Sequence, residues 1–137
     1  MLFHDIFAHH PKEREAIIDQ DRSVTYGEFQ DLVERWAAYF EALGVKKGDR
    51  VGLVSKNCLE FIVTYFAVIK AGGVIVPINF QLVPREIAYI VKENNQPDME
   101  KLPDRIDAVI DFSHPNHLTW LFDFIKEKRC AYVCGTT

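Results

Sequence analysis

An α/β fold, one domain with a mainly parallel sheet, helices on both faces and a small N-terminal hairpin and helix, follows from three features of this 137-residue sequence. The first is the stretch from Gly48 to Asn79. There two uninterrupted apolar runs, Val51 to Val54 and Val74 to Ile78, flank a helical segment whose only charges are Glu60 and Lys70. Continuous apolar strands joined by a helical crossover belong to parallel sheets, which are normally covered on both faces. The second feature is that the alternation continues. Ile106 to Phe112 and Cys130 to Cys134 are further strand-like runs, and Pro84 and Pro115 stand where the helices preceding them begin. The third is length: a chain of this size holds one core, burying roughly two-thirds of its unfolded surface, and is too short for two ordinary domains.

Taken in order, Leu2, Phe3, Ile6 and Phe7 recur at helical spacing and predict a short helix over residues 2–9, stopped by His9-His10-Pro11. Glu15 to Asp19 and Ser23 to Tyr26 are two short extended runs around Gln20-Asp21-Arg22, the pattern of a hairpin. Thr25 and Glu28 have the spacing of a capping box, so a helix starts there. Phe29, Leu32, Val33, Trp36, Ala37, Phe40 and Leu43 give it one apolar stripe, and Gly44 closes it. The helix between the two central strands is apolar on every side and is expected to be covered on every side. Ile87, Ile90 and Val91 supply the face of the helix after Pro84. Residues 96–105, with two prolines, five charges and no periodicity, read as a junction loop. Leu118, Leu121, Phe122 and Ile125 mark the helix before the closing strand.

Sixteen basic against 20 acidic residues, with no basic block, argue against a nucleic-acid or anionic-membrane partner. No apolar run reaches the roughly 18 residues of a membrane span, and Met1 to Asp5 lacks the basic start of a signal peptide, so a cytoplasmic protein is expected. Cys58, Cys130 and Cys134 lack metal spacing and sit in apolar segments, which predicts buried reduced thiols.

In a parallel sheet ligands bind at the carboxyl edge of the strands. Here that edge would carry Ser55-Lys56-Asn57, Asn79, Ser113-His114 and Gly135-Thr136-Thr137. Lys56 could meet a phosphate, but its surroundings lack the glycines that let backbone amides wrap one, and a solvated lysine is the simpler account. His114 and His117 have a spacing compatible with a metal, without the third ligand zinc requires, so no metal site is assigned. Asp111 ends a buried strand, where a carboxylate more often satisfies loop amides than acts as a base. The hydroxyls of Ser55, Ser113, Thr136 and Thr137 have no positioned base, and no catalytic residue is assigned. The aromatic residues of the helices fit core packing.

Several pieces between residues 2 and 95 resemble the start of the adenylate-forming superfamily, which includes acyl-CoA synthetases and luciferases. They are Ala16-Ile17-Ile18-Asp19, Thr25-Tyr26-Gly27-Glu28, Leu43 to Val51, Asn57, Ala67 to Gly73 and Pro77-Ile78-Asn79, in the family's order and spacing. The resemblance implies an enzyme that activates a carboxylate with ATP. The family's phosphate loop, later nucleotide motifs and catalytic lysine have no counterpart among these residues, so what the resemblance carries over is scaffold.

Residues 106–137 resemble a different family. Asp107 to Pro115, followed by a helix and Gly135-Thr136-Thr137, is similar to one β-α-β segment of dihydrodipicolinate reductase, a pyridine-nucleotide enzyme. That resemblance implies Gly135 and Thr137 beside a nicotinamide, with Phe112 and Ser113 on the neighbouring loop. The glycine-rich cofactor loop of that family is missing, as are its downstream histidines and lysine. Two partial families meeting at residues 96–105 imply an engineered chimera of a 1–95 segment and a 106–137 segment. It is expected to fold without catalysis and to need no cofactor, so that it is no enzyme. The alternatives are weak binding of NAD(P)H or ATP at the carboxyl edge, or a fragment of an acyl-CoA synthetase that self-associates through uncovered apolar surface.

Overall fold

The computed structural model describes residues 2–82, 85–86, 108–112 and 131–134. The chain divides into two compact units, residues 1–47 with 57–73, and residues 48–56 with 74–137.

The first unit holds a 3-10 helical segment, Phe3–His9, an antiparallel hairpin of β1 (Glu15–Asp19) and β2 (Arg22–Thr25), and two helices, α1 (Tyr26–Ala42) and α2 (Leu59–Lys70). The expected N-terminal helix is thus a 3-10 segment. Thr25 caps α1 as its spacing predicted: the Glu28 amide donates to Thr25 Oγ1 at 3.3 Å and the Thr25 amide to Glu28 Oε2 at 2.8 Å. The Thr25 backbone amide first, and the Thr25 side chain second, hydrogen-bond the Glu28 carboxyl and hold it below its ordinary value of 4.5. A lowered carboxylate contributes stability that is present above the unfolded value and lost as pH falls through the folded one. Glu28→Gln should therefore flatten thermal stability across the acid range below about 4.5, and Thr25→Ala should cost about 1 kcal/mol in a urea melt at neutral pH.

Both helices end in the same way. Gly44 (φ 100°) and Gly72 (φ 87°) take the left-handed conformation that L side chains resist. The amides that follow fold back, Gly44 to the carbonyl of Glu41 and Val45 to that of Phe40, Gly72 to Ile69 and Gly73 to Val68. A Cβ on Gly72 would also lie 3.2 Å from Lys47 Cα.

Helix α1 packs on α2. It buries Phe29, Val33, Ala37 and Phe40, while Leu43, expected in the stripe, is half-exposed because it lies beyond the last helical turn. Helix α2 buries Val63, Thr64, Ala67 and Val68, and none of its other residues is fully exposed. Its cover is complete on one stripe and partial elsewhere, less than its uniform apolarity predicted. Phe7 sets its ring edge-on to Phe29 at 4.6 Å and to Phe66 at 4.5 Å, fastening the 3-10 segment to both helices. Lys70 in the last turn of α2 pairs with Glu34 of α1 at 2.8 Å. Cys58 forms no disulfide and is half-buried, less covered than expected.

The second unit is a four-stranded parallel sheet in the order β4-β3-β5-β6, with β3 Arg50–Ser55, β4 Val74–Asn79, β5 Ala108–Phe112 and β6 Ala131–Cys134. All six residues of β3 are buried, as an uninterrupted apolar strand in the middle of a parallel sheet should be. β4 lies outside β3 and is only partly covered, with Val74 and Pro77 exposed. The amide of Val74 donates to the carbonyl of Asp49 at 2.7 Å and opens the ladder. The strand after the junction thus pairs with β3 itself, in the middle of the sheet. The helices expected after Pro84 and after Pro115 lie outside the described residues, apart from helical backbone at residues 85–86.

Candidate functional site

The strand order fixes where a ligand would be sought. From β3 the chain steps to one side to form β4, then returns past β3 to place β5 on its other side and β6 beyond it. The chain's direction across the sheet reverses between β3 and β5, and in open α/β sheets ligands gather at the carboxyl ends of the strands flanking such a reversal. The register puts Ser55 opposite Phe112 there, with Asn79 on the other side of Ser55.

The side chains at this edge are mostly occupied with the backbone. Ser55 is 5% exposed, and its hydroxyl donates to the carbonyl of Lys56 at 2.8 Å. That is a turn-forming role and supplies no base to activate it. Asn79 Oδ1 accepts the Gln81 amide at 2.9 Å, and its carbonyl accepts that of Leu82 at 3.2 Å, which turns the chain out of β4. Lys56 is exposed, consistent with a solvated lysine. Of the residues the sequence placed at a nicotinamide, the structure sets Phe112 at the end of β5; Ser113, Gly135 and Thr137 lie outside the described residues, as do His114, His117 and Thr136. Asp111 pairs within the sheet with Val54 and Cys134, one position before the strand's end. Among the described residues no three His, Cys, Asp or Glu side chains are grouped to hold a metal, and no helix is long and apolar enough to cross a membrane.

The first unit has a shallow cleft lined by His4, Asp5, Phe7, Gln30, Glu34 and Lys70, in which Lys70 pairs with Glu34 at 2.8 Å and His4 Nε2 lies 3.4 Å from Asp5 Oδ1. It also has a polar cluster that sequence reading missed. Arg22 Nη2 donates to Asp19 Oδ2 at 2.7 Å, and its guanidinium forks onto Glu60 at 2.8 and 3.2 Å. Arg22, foremost, holds the Glu60 carboxyl below its ordinary range. The residues are 38 positions apart in sequence, so no local pattern could have joined them.

The family model for AMP-binding enzymes matches residues 3–95. The chain belongs to that family. It is 33% identical over 128 residues to 4-hydroxybutyrate–CoA ligase 2 of Metallosphaera sedula, a match covering 93% of this chain and 22% of that protein. It is 40% identical over 73 residues to crotonobetaine/carnitine–CoA ligase of Salmonella paratyphi A, over 53% of this chain and 14% of that one. A structure from Rhodopseudomonas palustris, assigned as a long-chain-fatty-acid CoA ligase, superposes over 96% of this chain and 31% of its own with a TM-score of 0.76; at 21% identity that likeness is one of fold. The chain spans less than a quarter of each of the two curated relatives.

The resemblance of residues 2–95 to adenylate-forming enzymes therefore holds, and one expectation falls. The chain was expected to be no enzyme, yet it belongs to a family of enzymes, and the relatives it matches are CoA ligases. The error lay in counting missing motifs within a chain that spans so little of its relatives' length.

Proposed function

We propose that this chain is the N-terminal part of an acyl-CoA ligase, an enzyme that activates a carboxylate with ATP and passes the acyl group to the thiol of CoA. What carries this reading is the continuous match to a CoA ligase over 93% of the chain. A match over 128 of 137 residues must run through most of residues 106–137, the segment likened to dihydrodipicolinate reductase. It therefore favours one uninterrupted ligase segment over a splice. The share of the chemistry proposed for these residues is to present a preformed parallel edge, at Ser55, Asn79 and Phe112, on which the rest of such an enzyme builds its site. A hybrid in which this chain replaces the matching segment of the Metallosphaera sedula ligase should retain ATP-dependent CoA thioester formation; a hybrid that folds by circular dichroism and forms none would overturn the proposal.

One observation favours the spliced reading, in which residues 106–137 derive from a pyridine-nucleotide enzyme: the family model stops at residue 95. Under that reading Phe112, Ser113, Gly135 and Thr137 would still hold NAD(P)H weakly. Calorimetric titration separates the two. Heat of binding with NADH at millimolar concentration supports the splice, and none with NADH supports the continuous ligase segment.

A further inference from the structure

Helix α2 begins without a cap of its own. Its N-cap residue, Cys58, makes no side-chain capping bond, and its thiol turns to Glu60 instead. The first amide of the helix, Leu59 N–H, is one of the four that every helix leaves without an internal acceptor. It donates to Asp19 Oδ2 at 3.0 Å, across 40 positions of sequence. The same oxygen accepts Arg22 Nη2 at 2.7 Å, and Arg22 continues to both oxygens of Glu60, in the first turn of α2. Gln20, between Asp19 and Arg22, has a φ of 56°. A non-glycine residue holds that left-handed conformation only where its surroundings impose it.

We infer that the β1–β2 turn is a clasp on the first turn of α2, so that the hairpin and the start of the helix open and close as one unit. The coupling resides in the shared Asp19 oxygen. Gln20 cannot relax out of its left-handed conformation without moving Asp19 off the Leu59 amide, and the first turn of α2 cannot unwind without pulling Glu60 off Arg22. The Leu59–Asp19 and Arg22–Glu60 bonds reach across to a separate segment of chain and each involves a carboxylate, while Arg22–Asp19 ties the two within the turn, so the hairpin acts as a removable cap supplied from outside the helix.

Backbone amide hydrogen exchange, followed by NMR on the whole 137-residue chain, tests this. Asp19→Ala should speed exchange at the Leu59 amide by roughly tenfold, the scale of a lost cap, and speed exchange of the β1–β2 ladder amides by the same factor, leaving β3 and β4 unchanged. Arg22→Lys keeps the charge but loses the fork, and should raise both sets in parallel by roughly threefold. A rise at Leu59 without the ladder, a rise in the ladder without Leu59, or no rise at either overturns the clasp. Should Asp19→Ala fail to fold, Arg22→Lys decides on the same criterion.

Discussion

Ala67→Asp should leave the first unit without a cooperative unfolding transition. Ala67 is 0% exposed on the buried stripe of α2, beside Val63, Thr64 and Val68. A carboxylate there would be desolvated among apolar side chains, at a cost of several kcal/mol even after it takes up a proton or the packing relaxes. Whole domains are stable by only about 5–15 kcal/mol, so that one substitution consumes most of the margin. The side chain is also larger than the space, which adds strain of about 1–3 kcal/mol. Thermal melting by far-UV circular dichroism checks this, with the exposed Ala38→Asp on α1 as the control that should melt as the parent does. A sharp, near-parental transition for Ala67→Asp would remove α2 from the core.

The second large effect is expected from Phe29→Ala. Phe29 is 0% exposed and stands between Phe7, edge-on at 4.6 Å, and Phe66, edge-on at 6.0 Å. Truncation removes the largest fully buried side chain of α1 and leaves a cavity, a change that costs about 3–5 kcal/mol. Urea denaturation should show the midpoint falling by that margin with the slope unchanged, while Phe29→Leu, which refills much of the space, should lose less than half as much. Phe7 loses a partner at the same time, so chymotrypsin should cut within the 3-10 segment faster in Phe29→Ala than in the parent. Equal cutting rates would mean that Phe66 and Tyr26 hold that segment without Phe29.

Much of the fold was legible because its determinants are local. The Thr25–Glu28 capping box needs residues three apart, and the glycines at 44 and 72 punctuate helices they touch. The strands of the central unit could be read from apolar runs, and the structure lengthens them by one residue at most at each end. Strand order was not legible, since a crossover of the same length can step to either side of β3. Nor was the Asp19–Leu59 bond, whose partners are brought together only by the packing of the hairpin on α2. The common direction of the strands was legible, and with it which residues end them, whereas the turn bonds that Ser55 and Asn79 make there were not. The likeness of residues 106–137 to a reductase rested on two short turn motifs. The likeness to a CoA ligase, by contrast, runs along 128 residues.

Pro77 weakens one edge of the described sheet for further pairing. Because the Val74 amide points inward to Asp49, the alternation of a parallel ladder turns the amides of Val76 and Ile78 inward as well, and those of Ile75, Pro77 and Asn79 outward. A proline carries no amide hydrogen, so the outward row has donors at its two ends and a bulky ring between them. A fifth strand laid against β4 would find its central acceptor unanswered. A strand added on this side would pair with one hydrogen bond fewer at its middle, which makes the β4 edge a poor template for an intruding neighbour.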